Sequence, residues 1–191
     1  MKHILRSICV LIILLAIIKI FPTRRFTIDT QKVLTYCKQN GYSEDYCILV
    51  DFSKPQGIKR FGIYSFAENR IIYKSLCANG RGRENNIFNS TFSNEIGSHY
   101  SSLGRYRVGN LVKMSNPKYG YGYLVYGLDS TNSNALVRGI MIHNGNLNFE
   151  TYPLPCIPAS IGCFAVSSAM MRKIEQIKKQ TKKPILLYAY K

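Results

Sequence analysis

Two residues of this chain have types that could carry out covalent chemistry together. His143 ends the hydrophobic run Ile140-Met141-Ile142, and Cys163 follows twenty residues later in the segment Ser160-Ile161-Gly162-Cys163. A thiol attacks an acyl carbon as its thiolate, so it needs a base or a depressed pKa, together with backbone N–H groups that hold the oxyanion. His143 is the candidate base. Gly162 permits a sharp turn in which the amides of Gly162 and Cys163 converge on one point. Considered alone, such a pair is more often a buried structural cysteine and a satisfied core histidine, so the surrounding segments must decide.

Other chemistries find less support. The three histidines and scattered cysteines lack Cys-x-x-Cys or His-x-x-x-His spacing, so no metal is expected. With no Gly-rich nucleotide loop either, no cofactor is expected.

The elements that must position His143 and Cys163 read as mainly β with minor α. The chain has no Trp but 14 Tyr and 9 Phe, set among Val and Ile as in strands. Strands are expected at Tyr46 to Phe52, at Phe61 to Phe66 and Arg70 to Leu76 as a hairpin, and at Pro184 to Tyr190. Two inner strands, Tyr121 to Leu128 and Ala135 to His143, flank the turn-forming stretch Asp129 to Asn134. Asp29 is placed to cap a short helix from Gln31 to Asn40 that stops at Gly41. A second helix follows the Cys163 turn, from about Ser168 to Lys179, with Met170, Ile174 and Ile177 inward. Ala78 to Arg105 is too rich in Gly, Asn and Ser for regular structure and too long for an ordinary connection.

With 191 residues, 46% of them apolar, the chain is long enough for one domain with a real core. Lys2 and Arg6 precede the apolar run Ile8 to Ile18, the order of an export signal. Without a small-x-small cleavage site, the preferred reading is a short uncleaved membrane anchor, with a cleaved signal as its rival. Export exposes Cys37, Cys47, Cys77, Cys156 and Cys163 to an oxidising compartment, where thiols tend to pair; Cys156 paired with Cys163 would silence the thiol. The net charge of +16 favours polyanions or anionic surfaces. Nucleic acid is not the expected partner, because the basic residues are scattered rather than interleaved with stacking aromatics.

The region from Phe92 to Val166 resembles the L,D-transpeptidase catalytic domain, in a YkuD-like, murein-domain branch. The resemblance rests on ordered segments: Phe92-Ser93-Asn94, Gly97-Ser98, Ser101-Ser102-Leu103-Gly104, Tyr121-Gly122-Tyr123, Tyr126-Gly127-Leu128, Asn134-Ala135, Arg138, Ile140 to His143, and Ser160 to Val166. It implies a β-sandwich-like fold and a cysteine that forms a thioester with a peptidoglycan stem peptide, resolved by an amine or water. Carried over by position, Cys163 is the nucleophile and His143 the base. In the family the base is commonly oriented by a backbone carbonyl, and Asp129 is at most a supporting residue. Gly162 and Ser160 belong to the oxyanion and substrate region, where Ser160 either bonds substrate or caps the turn. Arg138 either forks onto a stem carboxylate or serves a surface partner. His99 either lines the groove or is an exposed loop residue.

The resulting organisation is a signal or anchor at 1–24, an extension with a short helix at 25–58, and the catalytic domain at 59–191, all in the cell envelope. The alternatives are a hydrolytic relative, an L,D-carboxypeptidase or amidase, and a non-catalytic wall-binding protein. Oligomeric state is left open. The sequence departs from the family pattern in Phe164-Ala165 after the cysteine, in Asn79 where relatives carry a histidine, and in Asn144-Gly145 after His143.

Overall fold

The computed structural model describes residues 26–83, 90–145 and 160–191. The expected anchor at 1–24 and Cys156 lie outside the described residues.

Helix α1 spans Thr30–Gln39, where a helix over 31–40 is expected. Asp29 caps it by accepting the N–H groups of Gln31 and Lys32, two of the donors that a first helical turn leaves unpaired. Gly41 follows the C-terminus at φ +73°, a left-handed conformation that glycine adopts without a Cβ penalty. Val33 and Cys37 turn inward, onto a layer formed by Cys47, Leu49 and Leu186.

The strands are β1 (Tyr46–Asp51), β2 (Phe61–Ser65), β3 (Arg70–Ser75), β4 (Gly104–Lys113), β5 (Tyr121–Gly127), β6 (Met141–Asn144), β7 (Phe164–Val166) and β8 (Ile185–Tyr190). They form one sheet in the order β3-β2-β1-β8-β4-β5-β6-β7. Strand β1, within the segment expected as an extension, lies in its interior, antiparallel to β2 and parallel to β8. The sheet curls until its two edges meet: Ala78, after β3, bridges Ala165 in β7, and Gly80 bridges Ser160. Ile48, Val50 and Ile63 from one half therefore share a core with Tyr106, Val125, Ile142 and Phe164 from the other. Helix α2 (Ser168–Gln180), capped by Ser167 accepting the Met170 N–H, adds Met170, Ile174 and Ile177 to that core. The expected class, mainly β with minor α, is the observed one.

Two parts of the expected pattern differ. Ala135 to Ile140 is not strand; the run turns tightly, with Ala135 N–H bonded to Asn132 O, Arg138 N–H to Asn134 O and Ile140 N–H to Ala135 O, and Gly139 at φ +64°. Its apolar residues mislead because Leu136 and Val137 face solvent at 48% and 74% exposure. Strand β4 begins where the long polar stretch ends. Arg105, Arg107, Gly109 and Asn110 break its hydrophobic signal, and its register shifts between Val108 and Leu111, so its alternation is poor.

Cys37, Cys47, Cys77 and Cys163 are free thiols, all buried. Burial pushes the Cys37 and Cys77 thiols up to about 12, so at neutral pH they are protonated and poor nucleophiles.

Candidate active site

The parallel pairing of β6 and β7 relates the two candidates. Ile142 stands opposite Phe164 and His143 opposite Ala165, so Cys163, one residue earlier, lies beside Met141. Side chains alternate along a strand, so His143 and its partner Ala165 share one face, and Cys163 lies in the bend that leads directly into β7. Cys163 thus stands at the entry to the strand that pairs with that of His143, and each of the two residues is 6% exposed. Among the described residues no hydrogen bond joins them; the thiol donates instead to Gly139 O at 3.6 Å.

His143 Nδ1 lies 2.8 Å from Asn144 O. A carbonyl only accepts, so Nδ1 carries the proton and Nε2 keeps its lone pair. This is the backbone-carbonyl orientation implied by the resemblance. Asp129 is engaged elsewhere, accepting from the Arg105 N–H at 2.7 Å and from Arg105 Nε at 3.0 Å. Tyr119 packs on the imidazole with ring centroids 5.0 Å apart. Gly122, opposite His143 in β5, leaves it room: a Cβ there would come within 3.3 Å of the His143 Cβ. Burial lowers the His143 pKa against the opposing effect of the Asn144 bond. It raises that of Cys163, against the Met141 N–H and the positive charge of Arg138. The resting pair is therefore a neutral imidazole and a neutral thiol at pH 7.

That burial has a consequence for stability. His143 binds its proton less readily when folded than when unfolded, so the unfolded state takes up more protons as pH falls below the ordinary value of 6.5. Stability present above that value is expected to be lost on acidification. His143→Gln should flatten this part of the curve of melting temperature against pH between about 7 and 5. An identical slope in the variant would assign the acid sensitivity to other groups.

The turn before Cys163 is held from several directions. Gly162 has φ +117°, and a Cβ there would lie 2.7 Å from Ile140 Cδ1 and 2.9 Å from Tyr100 O. Ser160 Oγ donates to Cys163 O at 2.7 Å and accepts the Gly162 N–H at 3.1 Å, so Ser160 ties the turn and the Gly162 amide is engaged by it. Ser101 Oγ donates to Gly162 O at 3.1 Å. Gly162→Ala is expected to destabilise the protein by about 1–3 kcal/mol through backbone strain, before any clash with Tyr100 O, and to slow any reaction of Cys163 that needs the turn. Denaturant unfolding beside a thiol-acylation rate measures both.

Arg138 sits on the outer side of the turn. Its guanidinium donates to Ser93 O at 2.7 Å, to Ser102 Oγ at 2.6 Å, to Ser98 Oγ at 3.4 Å and to Tyr100 O. It thereby gathers the Ser93 to Ser102 loop against the Cys163 turn. His99, at φ +60°, is exposed in that loop. Asn79 is fully buried and bonds Gln56 and Arg60. The sequence carried little signal for Tyr119, which comes from a distant segment, whereas Ser101 stands in one of the segments that carry the resemblance.

A cleft of about 530 Å³ lies elsewhere, lined by residues that include Tyr36, Arg105, Asp129 and Tyr188, with neither Cys163 nor His143 among them.

The family model of the L,D-transpeptidase catalytic domain, YkuD_2, matches residues 23–190. Among solved structures, the chain is similar to the helical cell shape determining protein Pgp2 of Campylobacter jejuni, at 18% identity and TM-score 0.48, over 85% of this chain and 55% of that one. It is similar to an L,D-transpeptidase of Xylanimonas cellulosilytica at 16% identity and TM-score 0.44, over 79% of this chain and 62% of that one. It is also similar to the catalytic domain of the E. faecium L,D-transpeptidase at 14% identity and TM-score 0.43, over 78% of this chain and the whole of that one. The chain thus spans somewhat more than half of the first two. No curated protein matches it. From the ordered match over nearly its whole length, the chain belongs to the L,D-transpeptidase catalytic domain family.

Proposed function

We propose that this chain is a cysteine acyltransferase acting on peptidoglycan stem peptides, with Cys163 as nucleophile and His143 as general base. The observation that carries the reading is the pairing of β6 with β7, which sets His143 opposite Ala165, two residues after Cys163, with Nδ1 bonded to Asn144 O and Nε2 left basic. Nε2 takes the thiol proton as sulfur bonds to the scissile carbonyl carbon, and the Cys163 amide stabilises the oxyanion. The imidazolium then returns that proton to the leaving amine as the C–N bond breaks, which leaves a thioester on Cys163. An acceptor amine attacks the thioester, its proton passes to Nε2, and the thiol is released with a new peptide bond. Water in place of the amine would give hydrolysis.

Arg138 in this reading orders the loop around the turn and lends positive charge to the developing thiolate, its donors being occupied by the loop. Wall polymers and stem carboxylates are anionic, so a chain of charge +16 gathers near them. The proposed location is the cell envelope, held there by the segment 1–24. Among the described residues no helix is long and apolar enough to cross a membrane.

The test is incubation of the reduced protein with stem-tetrapeptide muropeptides, with and without an added amine, followed by mass analysis. Loss of the terminal residue with cross-linked or amine-exchanged product supports transfer. Loss of the residue without exchange assigns hydrolysis, and unchanged muropeptides from folded protein favour a wall-binding role.

A further inference from the structure

We propose that Arg60 and Asn79 are a positioning pair that sets the geometry of the Cys163 turn; this rests on Cys163 being the nucleophile. Arg60 precedes β2, far from the turn in sequence, and is fully buried. Its Nε donates to Cys77 O at 2.9 Å, Nη1 to Lys54 O at 3.1 Å and Nη2 to Asn79 Oδ1 at 2.6 Å. Gln56 Nε2 donates to the same Asn79 oxygen at 2.5 Å. Asn79 Oδ1 is thus committed to Arg60 and Gln56, while its Nδ2 donates to Gly80 O at 3.3 Å.

The backbone around Asn79 is committed to the turn. Asn79 O accepts the Ser160 N–H at 2.9 Å, the Arg81 N–H donates to Ser160 O at 2.7 Å, and the Ala78 N–H donates to Ala165 O at 2.9 Å. These bonds clamp the chain three residues before Cys163 and two after it. Ser160 carries the constraint inward, because its hydroxyl bonds both Cys163 O and the Gly162 N–H. On the other side, Ser101 Oγ accepts the Gly80 N–H at 2.9 Å and donates to Gly162 O. A shift of residue 79 therefore passes through one hydrogen bond to Ser160 and through a second to Cys163.

Stability alone does not call for a guanidinium here. Burying a charge is costly, and apolar residues of similar volume often serve as well. Burial lowers the Arg60 pKa to about 10, which leaves it charged at neutral pH. What arginine adds is a rigid planar fork that fixes three acceptors from separate positions, at 54, 77 and 79. Directional control of the segment after β3 is what the neighbouring turn uses.

The test compares two reactions of Cys163 in the full, reduced chain. Iodoacetamide alkylation needs only thiolate and access, whereas acylation by a carbapenem also needs the turn in register with the oxyanion. Asn79→Ala is expected to slow acylation about tenfold or more, as sub-ångström misplacement does, while alkylation stays within about twofold. Asn79→Asp, which still accepts from Arg60 and Gln56 but loses the donor to Gly80 O, should acylate faster than Asn79→Ala. Unchanged acylation in Asn79→Ala overturns the proposal, as does a parallel fall of both reactions together with the melting temperature. Should Asn79→Ala not fold, Gln56→Ala removes one of the two donors and is expected to slow acylation alone; a wild-type rate there also overturns it. An adduct that persists in Cys163→Ala refutes the nucleophile assignment instead, a result distinguishable from all of these.

Discussion

Incubated with a carbapenem, the wild-type chain is expected to gain the mass of one antibiotic molecule, and Cys163→Ala none. A β-lactam carbonyl is attacked like a stem carbonyl, so the adduct reports an accessible acyl acceptor. The other described thiols are poor competitors: Cys37, Cys47 and Cys77 are fully buried, and desolvation raises the pKa of each. Cys163→Ala retains Cys156, so an adduct surviving in the variant would move the nucleophile to another thiol. Turnover of muropeptides should fall by about 10³-fold or more, the scale seen when the nucleophile of a catalytic unit is removed. Folded wild-type protein that gains no adduct would shift the reading to a wall-binding protein that keeps the fold.

His143→Gln is expected to slow acylation by about 10²- to 10⁴-fold, the usual contribution of a positioned base. The pH dependence separates this from a packing defect. Neutral imidazole is the active form and burial lowers its pKa, so the wild-type rate should hold at neutral pH and fall only below the ordinary histidine value of 6.5. The variant should lose that acid limb and show instead a rate that climbs with thiolate at alkaline pH. Because burial also raises the thiol pKa, that climb should extend past the ordinary cysteine value of 9.0. Rates within twofold of wild type across the pH range would remove His143 from the mechanism.

Tyr119 and Gly122 explain why the imidazole is held as it is. Tyr119 packs on one side of the ring, the Asn144 carbonyl fixes Nδ1, and the missing side chain at 122 keeps the facing position open. A larger residue at 122 would reach the His143 Cβ and the Ile142 carbonyl. The imidazole is thus oriented by packing and a main-chain acceptor, with Asp129 given over to Arg105.

By itself the sequence determined what local signals can carry. Asp29 and Gly41 bound α1 because capping is a matter of one or two residues. Met170, Ile174 and Ile177 at helical spacing identified α2, and hydrophobic runs located β1, β2, β3, β5 and β8. Residue type and the ordered segments around them singled out His143 and Cys163 as candidates, and composition gave the mainly β class. Local signals failed where hydrogen bonds overrule hydrophobicity: Ala135 to Ile140 looks like strand, but Asn132, Asn134 and Gly139 turn it, and its exposed Leu136 and Val137 do not join the core. Strand β4 was obscured by arginines and glycines whose neighbours come from β5 and β8. Only the tertiary structure decided that β6 and β7 pair in parallel with His143 opposite Ala165, which sets the strand of His143 beside the one that Cys163 enters. Only it brought Arg60 and Asn79 behind the Cys163 turn, because strand register and buried polar contacts join residues that are about a hundred positions apart and leave no spacing in the sequence to read.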